Sequence, residues 1–570
     1  MGRCSSIGVR LRLSMIRTQI YNLVKTVFHD VSQKYGVSIN SRFDFTVDVP
    51  KNKEHGDYSV DIAFKLAGIV GRSPMDIGKS CIDFINARRE RVEGAYSYIM
   101  AITLAQPGFI NFKVSDDAWR NVVGYIKANE SDYGRTYVGE GQRVLLEYVS
   151  ANPTGPLTIA HGRQACLGDV LARVMKMSGY EVFREYYLND GGRQIKLLGL
   201  STRARYLELM GVEITFPEDG YLGDYINDIA QKIIEEFGDK YKTSSEQESL
   251  GFFSEYAKNY LMGLIRIDLE CIGVEFDQYF SEQTLYGEKV DGVLSFLLAR
   301  GLSFEKDDAL WFDTTRFGDD KDRVLKKANG DFTYLVPDMA YHRDKFERGY
   351  DRVINLLGPD HHGYIKRLKA AVSAFGYNPE QLEILIVQLT TLYKNGEPYR
   401  MSTRAGNFVS LRQLIDEAGT DATRFFFLMR KINSHLDFDI DLAKEKSQDN
   451  PVFYLQYAHA RIVSLINYSG QKVDPDADLY ALSEVEDIEM IKILHDFPYQ
   501  IAQTALKLEP YRLVDYLNNV AAGFHKYYAH QRVVSDDAHV TKARLLLCDC
   551  VRIVLHNGLE LLGVSQPDQM

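Results

Sequence analysis

The stretch YVSANPTGPLTIAHGRQACLGDVLAR, residues 148–173, places a loop rich in proline and glycine between an apolar run and a helical pattern. The preceding VLLEYVS is apolar and β-branched enough to be a buried strand. Residues 164–177 place apolar and small side chains at helical spacing. A helix that begins at the end of a strand points free backbone N–H groups over the sheet, so this loop with its His161 predicts an anion site.

A second stretch, NGEPYRMSTRAGNFVSLRQLI at residues 395–415, is a basic loop that carries Arg400, Ser402 and Arg404. Charge that develops on a phosphate is stabilised by a cation within a few ångströms. The two loops are therefore candidates for one site that handles phosphate groups.

Three blocks of secondary structure must position these loops. Residues 15 to about 115 mix helical stretches with short strands and predict a small α+β module. Residues 140 to about 415 alternate apolar strands with helices, which is typical of a doubly wound, Rossmann-like parallel sheet. From DATRFFFLMR onward almost every stretch has a helical pattern, which predicts an all-α bundle.

The predicted fold is thus an α/β catalytic domain with an N-terminal α+β module and a C-terminal helical bundle. We expect these boundaries: an extension or upstream start at 1–14, the N-terminal module at 15–135, the catalytic domain at 136–415 with a helical insertion near 205–300, and the bundle at 416–570.

Composition bounds the function classes. The chain is 45% hydrophobic and 25% charged, its six cysteines are scattered without a CxxC pair, and no apolar run reaches membrane-spanning length. These features predict a reduced, cytoplasmic enzyme without a cysteine-built zinc site. The net charge is −11, and residues 445–570 hold 11 Lys/Arg against 17 Asp/Glu. If the protein binds RNA, it must use segregated basic strips and shape-specific contacts rather than bulk charge.

The first residues leave two interpretations open. Five Lys/Arg and no acid precede Asp30, as in an organelle transit segment. The alternative, which we prefer, is an upstream start codon, with Met15 opening a helix from Ile16.

The two loops resemble the HIGH and KMSK signatures of class I aminoacyl-tRNA synthetases. Further stretches are similar to the arginyl-tRNA synthetase family in particular: SANPTGP, REYYLNDGGRQI, TYLVPDMAYHRDKFERGYD, GPDHHGY, DATRFFFLMRK, NPVFYLQYAHARI and VLHNGLELLGV. The resemblance covers residues 15–570. It implies ATP-dependent activation of L-arginine to arginyl-adenylate and transfer to the 3′-terminal ribose of tRNA(Arg), with activation dependent on tRNA. Mg²⁺ bound with the ATP phosphates should share in the catalysis. From the cysteine spacing and hydropathy we expect no structural zinc and no membrane partner, and we expect a monomer.

The resemblance assigns the nucleotide contacts. His161 is the last histidine of the first signature and should contact ATP near the phosphates, and its alternative role is to cap a helix. Thr158 stands where the family usually has the first histidine, and Thr403 stands where most class I enzymes have a lysine. Arg404, and after it Lys394, is the preferred substitute cation. The expected contacts with ATP are Ala160, His161, Gly162, His362, Arg400, Met401, Ser402 and Thr403.

The chemistry of arginine predicts its own pocket. A guanidinium offers five donors in a planar fork, so its partners should be carboxylates and a flat aromatic wall. By resemblance, Tyr334 and Asp338 hold the guanidinium and Asn152 holds the α-amino group. Asp338 could equally serve the first turn of a helix that Pro337 would open. Weaker members, which could instead make local bonds at strand ends, are Glu147 and Gln388.

The outer domains resemble RNA-binding modules. EHGDYSVDIAF, with Tyr58, is similar to the contact of the N-terminal module with the tRNA D-loop, although Asp61 replaces the usual asparagine and would repel phosphate. Tyrosines of the bundle could stack on anticodon bases, whereas most tyrosines at helical spacing belong to a core. These candidates are Tyr454, Tyr457, Tyr527 and Tyr528.

Two other functions remain open. A paralogue that binds tRNA but has lost catalysis would explain Thr158, Ala160 and Thr403. A nucleotidyltransferase of the wider HxGH superfamily would share the first signature but would not need the bundle. A metal site at His361 and His362 is disfavoured, because adjacent histidines point apart and no third ligand is evident.

Overall fold

The computed structural model describes residues 16–38, 43–91, 96–399 and 409–570. Four predicted ATP contacts and the preferred substitute cation lie outside the described residues: Arg400, Met401, Ser402 and Thr403, and Arg404.

The N-terminal module packs helices against an antiparallel sheet. Its elements are α1 (Ile16–Thr26), α2 (Phe28–Tyr35), β1 (Val47–Asp48), β2 (Tyr58–Val60), α3 (Ile62–Val70), α4 (Pro74–Arg91), β3 (Ile99–Ala105) and β4 (Phe109–Val114). The strand order is β1-β2-β4-β3. Helix α5 (Asp116–Asn129) follows, and the hydroxyl of Ser115 caps it by accepting from the Ala118 N–H.

The catalytic domain is built on a parallel sheet. Its strands, with those of a small insertion, are β5 (Arg143–Glu147), β6 (Glu181–Leu188), β7 (Gln278–Ser281), β8 (Ser303–Lys306), β9 (Ala309–Phe312), β10 (Arg323–Lys326), β11 (Arg352–Leu357) and β12 (Leu382–Ile386). Within the described residues the main sheet has the order β12-β11-β5-β6-β7, and every pair is parallel. After β5 the chain adds β6 and β7 on one side of it and then β11 and β12 on the other side. The strand order therefore reverses between β5 and β11.

Helices cover this sheet or extend from it. They are α6 (Ile159–Met177), α7 (Gly192–Leu209), α8 (Asp224–Phe237), α9 (Glu246–Cys271), α10 (Glu288–Ala299), α11 (Leu335–Glu347) and α12 (Ile365–Ala374). Helices α7, α8 and α9 lie between β6 and β7 and enclose a core of their own, to which Tyr206, Ile229 and Phe253 belong. Strands β8, β9 and β10 form a separate antiparallel sheet.

The remaining chain is mostly helical. Its elements are β13 (Thr390–Lys394), β14 (Glu397–Pro398), α13 (Leu411–Ala418), α14 (Thr420–Leu428), β15 (Leu436–Asp439), α15 (Ile440–Lys444), α16 (Pro451–Ser469), α17 (Val485–His495), α18 (Phe497–Lys507), α19 (Tyr511–His530) and α20 (Ala538–Leu562). The expectation of helix throughout this part missed β15, which pairs in parallel with β13. The sequence LDFD alternates buried and outward residues with period two, which favours a strand.

A buried cluster of charges joins the bundle to helix α6. The Asp169 carboxylate of α6 accepts from Arg424 at 2.6 Å and from Arg173 at 2.8 Å. Each arginine also donates to one carbonyl at the end of α20 and to one just after α9. These carbonyls belong to Glu560, Leu562, Ile272 and Gly273. We call Asp169, Arg173 and Arg424 the arginine junction.

Candidate active site

A cavity of about 620 Å³ opens at the carboxyl ends of β5, β6 and β11. Ligands of open α/β sheets bind in the crevice where the strand order reverses, and the cavity occupies that crevice. Residues from the loop after β5, the start of α6, the turn after β7 and the start of α11 line it. Among the described residues, the predicted site residues on this wall are Glu147, Asn152, His161, Tyr334 and Asp338.

Helix α6 begins at the cavity with Thr158 as its N-cap. The Thr158 backbone N–H donates to Nδ1 of His161 at 3.2 Å. Because a backbone N–H can only donate, Nδ1 is the acceptor and the proton of the neutral ring is on Nε2. Burial lowers the pKa of His161 to about 4, so the ring is uncharged at neutral pH. His161 therefore caps α6 with one nitrogen and offers the cavity a neutral N–H donor with the other.

Two neighbours of His161 differ in where they face. Ala160 is exposed in the first turn of α6. Gly162 is buried away from the cavity wall, and a Cβ there would lie 2.5 Å from Leu411 Cδ1 and 3.2 Å from the Phe427 ring. The absence of a side chain at Gly162 lets α6 pack closely against α13 and α14. Gly162 thus serves helix packing and does not line the cavity where an ATP contact was predicted.

Two residues near the end of the basic stretch 395–415 lie beside the N-terminus of α6. Ser410 forms an isolated antiparallel bridge with Thr158, and the Leu411 N–H donates to the Leu157 carbonyl at 2.8 Å. The Ser410 side chain caps α13. Backbone hydrogen bonds thus hold the later part of the basic stretch 395–415 beside the loop that precedes α6.

The turn between β5 and the first motif is left-handed at two residues that are not glycine, Val149 with φ of 69° and Ser150 with φ of 41°. Such conformations cost on the order of 1–3 kcal/mol and persist where surrounding contacts enforce them. The Ser150 hydroxyl donates to Glu147 at 3.0 Å and accepts from the Tyr187 N–H at 3.1 Å. These bonds fix the turn that carries Asn152 to the cavity.

Three carboxyl groups, those of Asp338, Glu147 and Glu282, share one part of the cavity wall. Burial, followed by the negative charges of Glu147 and Glu282, raises the pKa of Asp338 to about 7. The Asp338 carboxyl forms no ion pair with any of the described residues, although it keeps contact with the cavity. The wall therefore has an excess of negative charge that a bound cation would offset.

A buried network supports this wall from behind. Lys345 is fully buried, forms an ion pair with Glu147 and donates to Asn355 Oδ1 at 2.9 Å. The Asn355 amide donates to Nε2 of His342 at 2.8 Å, and Nδ1 of His342 donates to the Asp338 carbonyl at 2.8 Å. Because Lys345 compensates Glu147, the remaining negative charges of the wall are those of Asp338 and Glu282.

The prediction missed Glu282, Lys345 and Asn355. Glu282 is buried directly after β7, and its carboxylate accepts from the Tyr286 hydroxyl at 2.7 Å. A polar residue at the carboxyl end of a parallel strand is the signal that could have identified it. Lys345 and Asn355 lie inside a helix and a strand, where no local signal marks them.

Tyr334 lies at the rim of the cavity with 73% of its surface exposed. The sequence predicted Pro337 as the first residue of this helix. Helix α11 instead begins at Leu335, so Pro337 is its third residue. Asp338 nevertheless lies in the first turn. Its place on the cavity wall and its place at a helix start are therefore compatible.

Gln388 and His362 are two further predicted residues that lie off the cavity wall. The Gln388 carbonyl accepts from the buried Arg163 at 2.8 Å, and Gln388 does not line the cavity. His362 does not line it either, whereas its neighbour His361 does. Both histidines belong to a single 3₁₀ turn, Pro359–Tyr364, in which consecutive side chains point in different directions.

Lys394, the second candidate for the missing cation, is already paired. Its ammonium lies 2.6 Å from Glu417, which also pairs with Lys444 at 3.3 Å. The hydrogen bond with Glu417 raises the pKa of Lys394. Lys394 must leave this partner before it can reach a phosphate.

The N-terminal RNA candidates are engaged within the protein. Tyr58 is 3% exposed, its hydroxyl lies 3.3 Å from Nδ1 of His495 in the bundle, and the Arg17 guanidinium lies over its ring. Asp61 accepts from the Thr46 N–H at 2.7 Å and pairs with Lys65 at 3.3 Å. The Tyr58 ring is thus covered where the module meets the bundle and is not open to a base.

The bundle tyrosines divide into a core residue and a surface group. Tyr527 is 2% exposed, and its hydroxyl donates to Asp487 at 2.8 Å. The rings of Tyr454 and Tyr457 lie 4.7 and 5.9 Å from that of His525, and the Arg461 guanidinium lies 4.3 Å above the Tyr528 ring. We call the half-exposed group the aromatic patch of the bundle: Tyr454, Tyr457, Arg461, His525 and Tyr528.

The described residues lack two kinds of feature. They contain no group of three or more His, Cys, Asp or Glu side chains that could hold a metal ion. They also contain no helix that is long and apolar enough to span a bilayer.

Three sequence families match the chain. Residues 17–114 match the arginyl tRNA synthetase N terminal domain, residues 123–432 match the tRNA synthetases class I (R) catalytic domain, and residues 455–570 match the DALR anticodon binding domain. The catalytic match alone spans more than half of the chain.

Individual proteins agree with these matches. The chain is 45% identical over 533 residues to the arginine–tRNA ligase of Geobacillus kaustophilus, covering 92% of this chain and 94% of that one. It is 43% identical over 563 residues to the arginine–tRNA ligase of Listeria monocytogenes serovar 1/2a, covering 98% and 100%. The arginyl-tRNA synthetase of Thermus thermophilus has the same fold, with a TM-score of 0.76 over 98% of this chain at 20% identity. The chain belongs to the arginyl-tRNA synthetase family of class I.

Proposed function

We propose that the protein is an arginine–tRNA ligase, which activates L-arginine with ATP and transfers it to tRNA(Arg). The observation that carries this assignment is the cavity wall on which the carboxyl groups of Asp338 and Glu282 face the same space as His161. An excess of buried negative charge suits a guanidinium, and a neutral donor at the start of a helix suits a phosphate. The relatives at 43–45% identity carry the same activity in their names.

The reaction has two steps and needs no nucleophile from the protein. The arginine carboxylate attacks the α-phosphorus of ATP, and pyrophosphate leaves. The terminal ribose hydroxyl of tRNA then attacks the arginyl carbonyl, and AMP leaves. Catalysis therefore rests on positioning the substrates and on stabilising the charge that develops on phosphate oxygens.

Each group on the cavity wall has a part in this positioning. Asp338 and Glu282 bind the guanidinium, and Tyr334 covers its flat face from the rim. Asn152 holds the α-amino group, which directs the substrate carboxylate toward His161. The Nε2–H of His161 donates to a phosphate oxygen, with its orientation fixed by the bond from Thr158 to Nδ1.

The nucleotide substrate is the magnesium complex of ATP. Mg²⁺ takes oxygen ligands and keeps several waters, so the ATP phosphates supply its principal ligands. The ion neutralises part of the charge of the leaving pyrophosphate. His361, on the cavity wall, is better placed than His362 to contact this nucleotide.

Pyrophosphate exchange into ATP tests the assignment. We expect exchange that requires arginine and also requires tRNA(Arg). A paralogue without catalysis would bind tRNA and show no exchange under any condition. A nucleotidyltransferase would incorporate pyrophosphate without arginine.

The missing lysine of the second signature gives the first prediction. Arg404→Ala lowers kcat of pyrophosphate exchange by at least about tenfold with little change in the KM for arginine, because a cation near the pyrophosphate acts mainly in the transition state. Lys394→Ala has a smaller effect, since Glu417 already pairs with its ammonium. Lys444→Ala, which removes the other lysine paired with Glu417, is the matched control. Near-normal exchange in Arg404→Ala, Lys394→Ala and the double variant would place the cation elsewhere.

The aromatic patch of the bundle gives the second prediction. Tyr457→Ala and Tyr528→Ala each raise the KM for tRNA(Arg) about 5- to 100-fold, because a base stacked on an aromatic ring contributes about 1–3 kcal/mol. Pyrophosphate exchange at saturating tRNA stays within about twofold. Tyr527→Phe, a matched change in the core, removes a hydroxyl bonded to Asp487 and lowers thermal stability without changing the KM for tRNA. Unchanged tRNA kinetics in both alanine variants would remove the patch from the RNA interface.

We further propose a cytoplasmic monomer with domains bounded near residues 135 and 415. The free cysteines Cys81, Cys166, Cys271, Cys548 and Cys550 suit a reducing compartment. Sedimentation with and without tRNA tests the oligomeric state.

A further inference from the structure

Glu282 owes its position to a short turn. It begins the 3₁₀ turn Glu282–Leu285 directly after β7. Its carboxylate accepts from the Tyr286 hydroxyl and faces the cavity. A turn of this kind has few hydrogen bonds of its own, so contacts from outside must decide where Glu282 points.

Asp190, after β6, supplies those contacts on both sides of Glu282. Oδ2 of Asp190 accepts from the Ser281 hydroxyl at 2.6 Å, and Oδ1 accepts from the Gln283 N–H at 3.2 Å. The Asp190 carbonyl also accepts from the Gln283 side-chain amide at 2.7 Å. Thus the carboxylate and the carbonyl of Asp190 together hydrogen-bond the residues before and after Glu282.

Asp190 does not contact the cavity itself. It is 7% exposed and lies off the cavity wall, although its neighbours Asn189 and Gly191 line it. No Lys, Arg or His of the described residues forms an ion pair with it, so the hydrogen bonds to the turn are what satisfy its buried charge. The hydrogen bonds of Asp190 go to the two residues that flank Glu282, so what Asp190 holds in place is the turn that carries Glu282.

We propose that Asp190 is a positioning residue for arginine specificity, which acts by holding the turn so that Glu282 meets the guanidinium. The proposal rests on the assignment of Glu282 to the arginine pocket under the proposed function. A binding group must be held within about 0.5 Å of its productive position, so the hydrogen bonds that anchor this turn determine whether Glu282 is productively placed.

Kinetics of pyrophosphate exchange with saturating tRNA test the proposal. Asp190→Asn keeps the size of the side chain but cannot accept from both donors, and it raises the KM for arginine about 5- to 20-fold while kcat and the KM for ATP stay within about threefold. Ser281→Ala removes one of the same hydrogen bonds and leaves every charge in place, and it raises the KM for arginine about two- to fivefold. Glu275→Gln, a loss of one exposed charge near the other end of β7, is the matched control and leaves the KM unchanged.

The double variant decides whether Asp190 acts through Glu282. Glu282→Gln alone raises the KM for arginine at least about tenfold, and Asp190→Asn then adds less than about twofold, because the group it positions has gone. A full additional effect in the Glu282→Gln background, or a normal KM in both Asp190→Asn and Ser281→Ala, overturns the proposal. A normal KM in Glu282→Gln instead refutes the assignment of the pocket. If Asp190→Asn does not fold, Ser281→Ala in both backgrounds gives the same decision.

Discussion

Asp338→Asn raises the KM for arginine at pH 8 by at least about 30-fold, because the loss of a charged hydrogen-bond partner from a desolvated pocket costs about 2–4 kcal/mol. The KM for ATP stays within about threefold, since the nucleotide side of the cavity is unchanged. Initial rates of pyrophosphate exchange measure both constants. Glu347→Gln, which removes one carboxylate from the outer face of the same helix, is the matched control.

The pH dependence makes this prediction sharper. With the pKa of Asp338 raised to about 7, its carboxyl is largely protonated at pH 6 and ionised at pH 8. The affinity of the wild type for arginine therefore rises between pH 6 and 8, and arginine binding releases a proton below pH 7. Asp338→Asn loses this dependence. A rise in KM below about threefold, with the pH dependence retained, would leave Asp338 as a helix-start residue only.

The raised pKa of Asp338 also predicts that Asp338→Asn, which weakens arginine binding, stabilises the fold of the free enzyme. A carboxyl whose pKa is raised by folding contributes stability that is present at low pH and lost as the pH rises through the folded value. Without arginine, Asp338→Asn is therefore as stable as the wild type only below about pH 4, the ordinary pKa of an aspartate, and it becomes more stable than the wild type as the pH rises from there to 8. Thermal unfolding should show a rise of at least about 2 °C at pH 8. The aspartate is retained at a cost to the free enzyme, and arginine offsets that cost on binding.

His161→Asn and His161→Gln separate the two roles of His161. Asparagine places an acceptor near the position of Nδ1, so it keeps the bond from Thr158 and loses the donor at Nε2. Glutamine reaches the position of Nε2 with its amide, so it keeps a donor and loses the cap. We expect kcat of pyrophosphate exchange to fall about 100-fold or more in His161→Asn and about tenfold or less in His161→Gln. Thermal stability should fall only in the glutamine variant.

The opposite order of activities would make His161 a capping residue alone. The pH profile is an independent check. Because burial lowers the pKa of His161 to about 4, kcat at saturating arginine has no inflection from this ring between pH 5.5 and 8. A loss of activity near pH 6.5 that disappears in His161→Gln would show that the ring titrates and would contradict the neutral donor.

The fold was accessible to sequence reasoning where its signals are local. The strand, the loop and the helix around His161 follow from adjacent residues, and so does the change from alternating elements to helices near the end. The strand β15 was missed because four residues with period two are easily absorbed into a longer helical pattern.

The site was less accessible, because its support comes from distant parts of the chain. Lys345 meets Glu147 across 198 positions, and Glu282 enters from a turn between two insertions. Tyr58 sits in a motif that resembles an RNA contact, yet Arg17 lies over its ring and its hydroxyl meets His495 of the bundle. Whether a tyrosine faces solvent or core depends on which domain lies over it, and no local pattern records that.

The arginine junction has a consequence for engineering this protein. Asp169, buried on helix α6, pairs with two arginines, and each of these arginines also donates to one carbonyl at the end of α20 and to one just after α9. Removal of the bundle, which includes Arg424, would leave Asp169 without one of its two cations and Arg173 without the Glu560 carbonyl, at the helix that also carries His161. The bundle therefore cannot be replaced by that of another protein simply by joining the chains at its first helix. A functional graft must bring its own C-terminal turn, with the carbonyls of Glu560 and Leu562, back to the catalytic domain.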